Sequence, residues 1–228
     1  MIKVYALLPK RDDISKEQFH EHWSTIHLEH AKRIDRLRRY VQSHLTGEKL
    51  AGVPLAPYDG LPEVWYDDND SAVGQGEDPA YTEYAQKDEP NFVDMDRIAW
   101  VHTDDFVVEP GPELEAGEDE GRKAILMLKR NQELSPEEFA DRFDAAAKVA
   151  LAIPEGVSRT AFAIALEEMY ESGDPTYDGV LELRWTSADE LEEGWAEHGP
   201  AILEAIADTV DLDRSGGCVS RELRVIWP

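Results

Sequence analysis

The amino-acid sequence says nearly the same thing twice. Ile2-Lys3-Val4-Tyr5-Ala6-Leu7-Leu8 is an apolar, β-prone run, and Ile14-Ser15-Lys16-Glu17-Gln18-Phe19 follows it. Lys123-Ala124-Ile125-Leu126-Met127-Leu128 is a second such run, and Leu134-Ser135-Pro136-Glu137-Glu138-Phe139 follows in turn. Ser15 and Ser135 are 120 residues apart, as are Phe19 and Phe139. Tyr58-Asp59-Gly60 returns as Tyr177-Asp178-Gly179, 119 residues on. An offset that changes by only one residue between Ser15 and Gly60 marks two copies of one structural unit.

Each copy has the same grammar. A strand leads through a polar loop to a Ser N-cap, an acidic first turn and an amphipathic helix. Pro136 stands at the first helical position, where a missing N–H costs nothing. Glu63-Val64-Trp65-Tyr66 and Glu182-Leu183-Arg184-Trp185 are equivalent β-rich runs after a turn. Helical stretches follow over 71–86 and 187–207, and each copy closes on a strand, 105–108 and 223–226. With a further strand beginning at Tyr40, the order is strand–helix–strand–strand–helix–strand. That is the split βαβ pattern, an α+β fold. Its helices cover one face of the sheet and leave the other bare. We therefore expect two tandem ferredoxin-like units packed sheet to sheet as an intramolecular dimeric α/β barrel with a central cavity. Such a chain is a monomeric pseudo-dimer, with further self-association left open. The expected boundaries are 1–110 for the first unit, 111–121 for a solvated acidic Pro/Gly linker, and 122–228 for a diverged second unit.

Composition excludes several classes of function. Hydrophobic residues make up 42% of the 228, enough for a packed core, and the net charge is −26. A surface that acidic repels nucleic acid and anionic membrane. No run approaches the roughly 20 apolar residues of a membrane span, and Lys10-Arg11-Asp12-Asp13 ends the apolar start at once. The single Cys218 allows neither an internal disulfide nor a cysteine zinc site. The expectation is a cytoplasmic protein with no nucleic-acid or membrane partner.

The first helix of the first copy carries the chemistry-bearing residues. Phe19-His20-Glu21-His22-Trp23-Ser24-Thr25-Ile26-His27-Leu28-Glu29-His30 holds four of the chain's seven histidines. Phe19, Trp23 and His27 share one helical face. The second copy has Phe139, Phe143 and Ala147 there. Packing needs the aromatics in both copies, whereas His27 is present in one only, which favours a ligand over the fold as its reason. A metal site is disfavoured: His20-Glu21-His22 and His27-Leu28-Glu29-His30 miss the H-E-x-x-H spacing.

Phe19, Trp23 and His27 resemble the F-x-x-x-W-x-x-x-H run that opens the first helix of the EthD family. Tyr40-Val41-Gln42-Ser43-His44, Glu63-Val64-Trp65-Tyr66-Asp67 and Asp88-Glu89-Pro90-Asn91-Phe92-Val93-Asp94 resemble later parts of that family's pattern. The resemblance covers most of residues 2–108, and in the second copy only the framework. It implies a cofactor-independent lyase or isomerase, working by proton transfer in dehydration, isomerisation or cyclisation. The substrate would be a small hydrophobic or aromatic molecule of degradative or secondary metabolism. The alternatives are a non-catalytic ligand-binding or accessory protein, and a cofactor-free monooxygenase.

Strand alternation puts Glu63 and Trp65 on one face and Glu182 and Arg184 on the equivalent one, toward the barrel interior. Tyr40, Gln42 and His44 also alternate onto one face. If that face is interior as well, His27 and Glu63 form the catalytic pair, and Tyr5, Trp23, Tyr40, His44, Trp65 and Arg184 bind the substrate.

Overall fold

The computed structural model describes residues 1–171 and 173–227. Its strands are β1 (Ile2–Leu7), β2 (Arg39–Leu45), β3 (Gly60–Tyr66), β4 (Ala99–Glu109), β5 (Gly117–Glu118), β6 (Arg122–Arg130), β7 (Arg159–Ala165), β8 (Gly179–Trp185) and β9 (Val210–Ile226). Pairing runs β2-β3-β1-β4-β7-β8-β6-β9, and β9 also pairs with β2. All these ladders are antiparallel. The two four-stranded sheets therefore face one another and are also stitched along both edges, closing an eight-stranded barrel. Closure leaves no bare edge in either unit. Within each unit the order of strands is the same, β2-β3-β1-β4 and β7-β8-β6-β9. The repeated sequence has become a pseudo-twofold fold.

The first-helix signals form as read. Ser15 caps α1 (Lys16–His22), its Oγ accepting from the N–H of Gln18 while Gln18 Oε1 accepts from the N–H of Ser15. Ser135 and Glu138 make the same reciprocal pair at α5 (Pro136–Leu151). The repeated Tyr-Asp-Gly is equally local. A Cβ on Gly60 would lie 2.7 Å from the Trp23 ring, and one on Gly179 would lie 2.8 Å from Phe143. Glycine is required in both because helix aromatics press directly on strand backbone.

The barrel interior is filled. At its middle stand Lys3 and Lys123, equivalent in the repeat, and Glu63 and Glu182, likewise equivalent. Lys3 Nζ lies 2.8 Å from Glu63 and 2.5 Å from Glu182. Lys123 Nζ lies 2.5 Å from Glu63 and 3.8 Å from Glu182. These four charges alternate as a square across the pseudo-axis, almost sealed from solvent, and Glu222 adds a fifth charge at its edge, 2.7 Å from Lys123. Both lysines are held above their ordinary pKa: burial opposes their charge, and the glutamates outweigh it. Tyr5 donates to Glu182 at 2.6 Å, and Ser43 to Glu63 at 2.5 Å. Leu7, Leu61, Val101, Ile125, Met127 and Val180 pack the rest. The expected central cavity is thus replaced by an ionic core, because long side chains from all four inner strands meet at one level.

The linker also differs from the expectation. Gly117–Glu118 pairs with β9 as β5, and Asp119 takes hydrogen bonds from Arg184 and Arg224. An acidic stretch that reads as solvated finds two buried guanidinium groups at the barrel's end.

Candidate active site

The open space lies on the opposite, helix-covered side of the first sheet. There a cavity of about 340 Å³ is bounded below by β1 and β3 through Val4, Ala6, Val64 and Tyr66. Above it are His27, Ala31, Ile34, Tyr81 and Ala85. In the second unit the equivalent places on the sheet are taken by larger groups: Leu126 for Ala6, Leu183 for Val64 and Trp185 for Tyr66. Those residues pack into one continuous core with Phe139, Phe143 and α6 (Ala188–Ile206).

The helices over the cavity are broken. After α1 the chain makes a π turn, Trp23–His27, closed by the N–H of Leu28 on the Trp23 carbonyl, before α2 (Leu28–Ala31). The expected helix over 71–86 is instead a series of short pieces: α3 (Asn69–Val73), a 3₁₀ turn, a second π turn (Tyr81–Ala85), α4 (Gln86–Asp88) and a 3₁₀ turn (Glu89–Asn91). Both π turns contribute to the cavity lining, the first through His27 and the second through Tyr81 and Ala85. Such turns displace the side chains that follow them and recur at functional sites.

His27 is nearly buried and lines the cavity. Its Nδ1 stands 3.1 Å from Asp88 Oδ2. A carboxylate only accepts, so Nδ1 carries the proton and donates. Nε2 has no hydrogen-bond partner among the described residues. Burial lowers the His27 pKa, against the pull of Asp88, and the ring is neutral near pH 7. Asp88 also accepts from His22 Nε2 at 2.9 Å and from Asn91 Nδ2 at 3.0 Å. Burial alone would raise its pKa, but the donors from His27, Asn91 and His22 hold it far below the carboxylate range. The result is a fixed neutral imidazole, oriented by an ionised carboxylate, with a free lone pair at an apolar wall. That is the arrangement of a general base. Among the described residues no three His, Cys, Asp or Glu side chains converge to hold a metal ion.

The other expected site residues divide between the two faces. Tyr40 lines the cavity; its hydroxyl accepts from Trp23 Nε1 at 2.9 Å and from Gln42 Nε2 at 3.0 Å. Trp23 is fully buried behind it. His44 shares their side of the sheet but not the cavity. Its Nε2 donates to Gln42 Oε1 at 3.1 Å, so Nδ1 accepts from His20 Nδ1 at 2.8 Å. Tyr5, Glu63, Trp65 and Arg184 lie on the interior face. Glu63 belongs to the charge square, Trp65 Nε1 donates to Asp105 at 2.8 Å, and Arg184 is bound to Asp119. The expected convergence of His27, His44 and Glu63 therefore does not occur. The face that carries Tyr40, Gln42 and His44 looks toward the helices, and Glu63 looks the other way. Asp88 and the cavity-facing Glu89 carry no sign of a role in the sequence pattern of the residues alone. Their partners are distant in sequence, and the only signal was that Asp88-Glu89-Pro90-Asn91-Phe92 belonged to the family resemblance. Lys3 and Lys123 were legible as a lysine repeated inside two apolar strands.

Residues 11–96 match the family model described as the EthD domain, so the first unit carries an EthD domain, with His27, Tyr40, Asp88 and Glu89 inside it. No curated protein matches the chain. Among solved structures, the chain is similar over 98% of its length to an anthrone oxidase-like protein, covering 93% of that chain with TM-score 0.61 and 9% identity. A "putative monooxygenase" from Fusobacterium nucleatum is matched over 98% of this chain and 91% of its own, with TM-score 0.58 and 10% identity. One from Lactobacillus acidophilus is matched over 98% and 93%, with TM-score 0.54 and 9% identity. At these identities the likeness is one of fold, and it spans both units. Among the described residues no helix is long and apolar enough to cross a membrane.

Proposed function

We propose that the chain is a cofactor-independent enzyme that moves a proton on a small, largely apolar or aromatic molecule held in the first unit's cavity. His27 is the acid/base group, and the reaction is of lyase or isomerase type. The observation that carries this reading is the Asp88-oriented, neutral His27 at the wall of an apolar cavity in the first unit, whose counterpart in the second unit is packed with core side chains among the described residues. Apolar walls with a few placed polar groups suit a flat carbonyl compound or phenol. An acidic C–H or O–H of such a molecule, placed against Nε2, loses its proton to the imidazole, and Asp88 stabilises the imidazolium that forms.

A second reading shares this first step. The names borne by the structural neighbours, monooxygenase and anthrone oxidase-like, favour a fate in which the deprotonated substrate meets dioxygen. Solvent-deuterium exchange into enolisable aromatic ketones, followed by NMR, tests the shared step. Exchange by the wild type that is lost in His27→Ala is expected. Tight ligand binding without exchange in either protein would replace the enzyme with a binding protein. Dioxygen uptake with the same compounds separates the two enzymatic fates.

A further inference from the structure

We propose that Glu89 is a proton donor working opposite His27, and that the substrate is a small apolar ketone with a hydroxyl group β to its carbonyl. This rests on the reading of His27 as the base.

Asp88 and Glu89 are neighbours in the chain with opposite surroundings. Asp88 is enclosed by three donors. Glu89 begins the 3₁₀ turn and reaches the cavity wall. Tyr81, from the second π turn, donates to its Oε2 at 3.3 Å. Its Oε1 has no partner, and no cation pairs with it, among the described residues. Asp88 is its neighbour in the chain, and the other titratable groups lining the same cavity are His27, His102 and the phenols of Tyr40, Tyr66 and Tyr81. A half-buried carboxyl with a carboxylate neighbour and no compensating cation keeps its proton more tightly than in water. Its pKa is pushed up to about 7, chiefly by burial, with Asp88 adding to the effect. The cavity thus presents an unprotonated base and a carboxyl that still holds its proton in a large fraction of molecules near neutral pH. Environments that push two titratable groups apart in this way assign acid and base.

One group suffices to start an oxygenation, whereas two are needed for elimination. His27 Nε2 takes the proton α to the carbonyl, and the C–H electron pair becomes the new C=C bond. The β C–O bond breaks, and its oxygen leaves as water carrying the proton of Glu89. One proton enters at His27 and one departs from Glu89, and transfer between them through the released water restores both. No oxidant or reductant is required.

Two probes separate the steps. Benzylacetone, which has no hydroxyl group, reports α-hydrogen exchange alone. The aldol adduct of acetone and benzaldehyde reports elimination through the ultraviolet absorbance of benzylideneacetone. In Glu89→Gln, the ratio of elimination to benzylacetone exchange is expected to fall by about 10²–10⁴-fold. A ratio unchanged in Glu89→Gln, whether both rates hold or both fall together, would overturn the donor role. Wild-type exchange without elimination would overturn the substrate class and leave His27 standing. If the wild type exchanges neither probe, the reading of His27 fails, and infrared spectroscopy then decides the state of Glu89. A protonated-carboxyl band that titrates with a midpoint near 7 and is absent in Glu89→Gln is expected. A carboxylate ionised well below that pH would overturn the assignment whatever the activity.

Discussion

The two units share strand order, capping boxes, the helix aromatics and the glycine beneath them, and they meet at a charge square to which each contributes one lysine and one glutamate. On their outer, helix-covered faces they part. The second unit has two unbroken helices of 16 and 19 residues over a filled core. The first has two π turns, short helical pieces, and a cavity where Ala6 and Val64 stand in place of leucines. What the copies keep in common is what closes the barrel. What only the first has is space, a buried imidazole and carboxyls around it. Duplication makes this division possible: one copy can carry the packing while the other gives up packing for a site.

The largest effects should fall on what the copies share. Replacing Lys3 by Met leaves Glu63 and Glu182 with one lysine between them in a sealed interior. Breaking a buried ion network from one side typically costs about 3–5 kcal/mol. Denaturant melts should show similar losses for Lys3→Met and Lys123→Met, and replacing all four charged residues by apolar ones should restore most of the stability. A loss confined to one lysine would break the symmetry of the square.

Substituting His27 by the residue of the other copy tests the division itself. His27→Ala should lower proton-transfer rate by about 10²–10⁴-fold. Its melt should shift by only about 1 kcal/mol, because Asp88 keeps His22 and Asn91 as donors. A loss of several kcal/mol would make His27 part of the packing.

Acid should discriminate between the units. Burial holds His44 down to about 3 and His20 down to about 4, and lowers His27 as well. The unfolded chain takes up these protons near pH 6.5, the folded one only well below. Stability is therefore complete above about pH 6.5 and falls as pH drops toward the folded values, by up to about 1.4 kcal/mol per pH unit for His44. Six of the seven histidines lie in the first unit. Hydrogen exchange near pH 5 should accordingly open its helical layer first; equal protection of both layers would count against this.

The smallest effect on stability should be Ala31→Leu, which puts a larger side chain into the cavity roof. Filling part of the cavity should leave stability within about 1 kcal/mol and abolish ligand uptake, read by ligand titration against a melt. Destabilisation beyond that would mean the space is shaped too tightly to be a binding site.

The repeat, the strand order and the helix starts were all legible, since they rest on contacts short in sequence: a Ser with the residue three positions on, or alternation along one strand. Ser15 and Ser135 needed nothing else to be placed. His27 stood out because the second copy lacks it. The site around it was not legible. Asp88 is 61 residues from His27, and nothing in a linear pattern indicates that the two meet. Nor does alternation say which face of a sheet turns inward, and for Tyr40, Gln42 and His44 that choice decided everything.

The sequence by itself therefore determined that two ferredoxin-like units exist, where the capped first helix of each begins, and that one copy differs from the other at a histidine. Tertiary structure alone decided that the barrel's centre is ionic and full and that the open space lies under the helices of the first unit. The physical reason is that local hydrogen bonds and side-chain periodicity are encoded by neighbours in the chain. Cavities and charge networks depend on whether side chains from distant elements, such as Lys3, Lys123, Glu63 and Glu182, reach the same point in space.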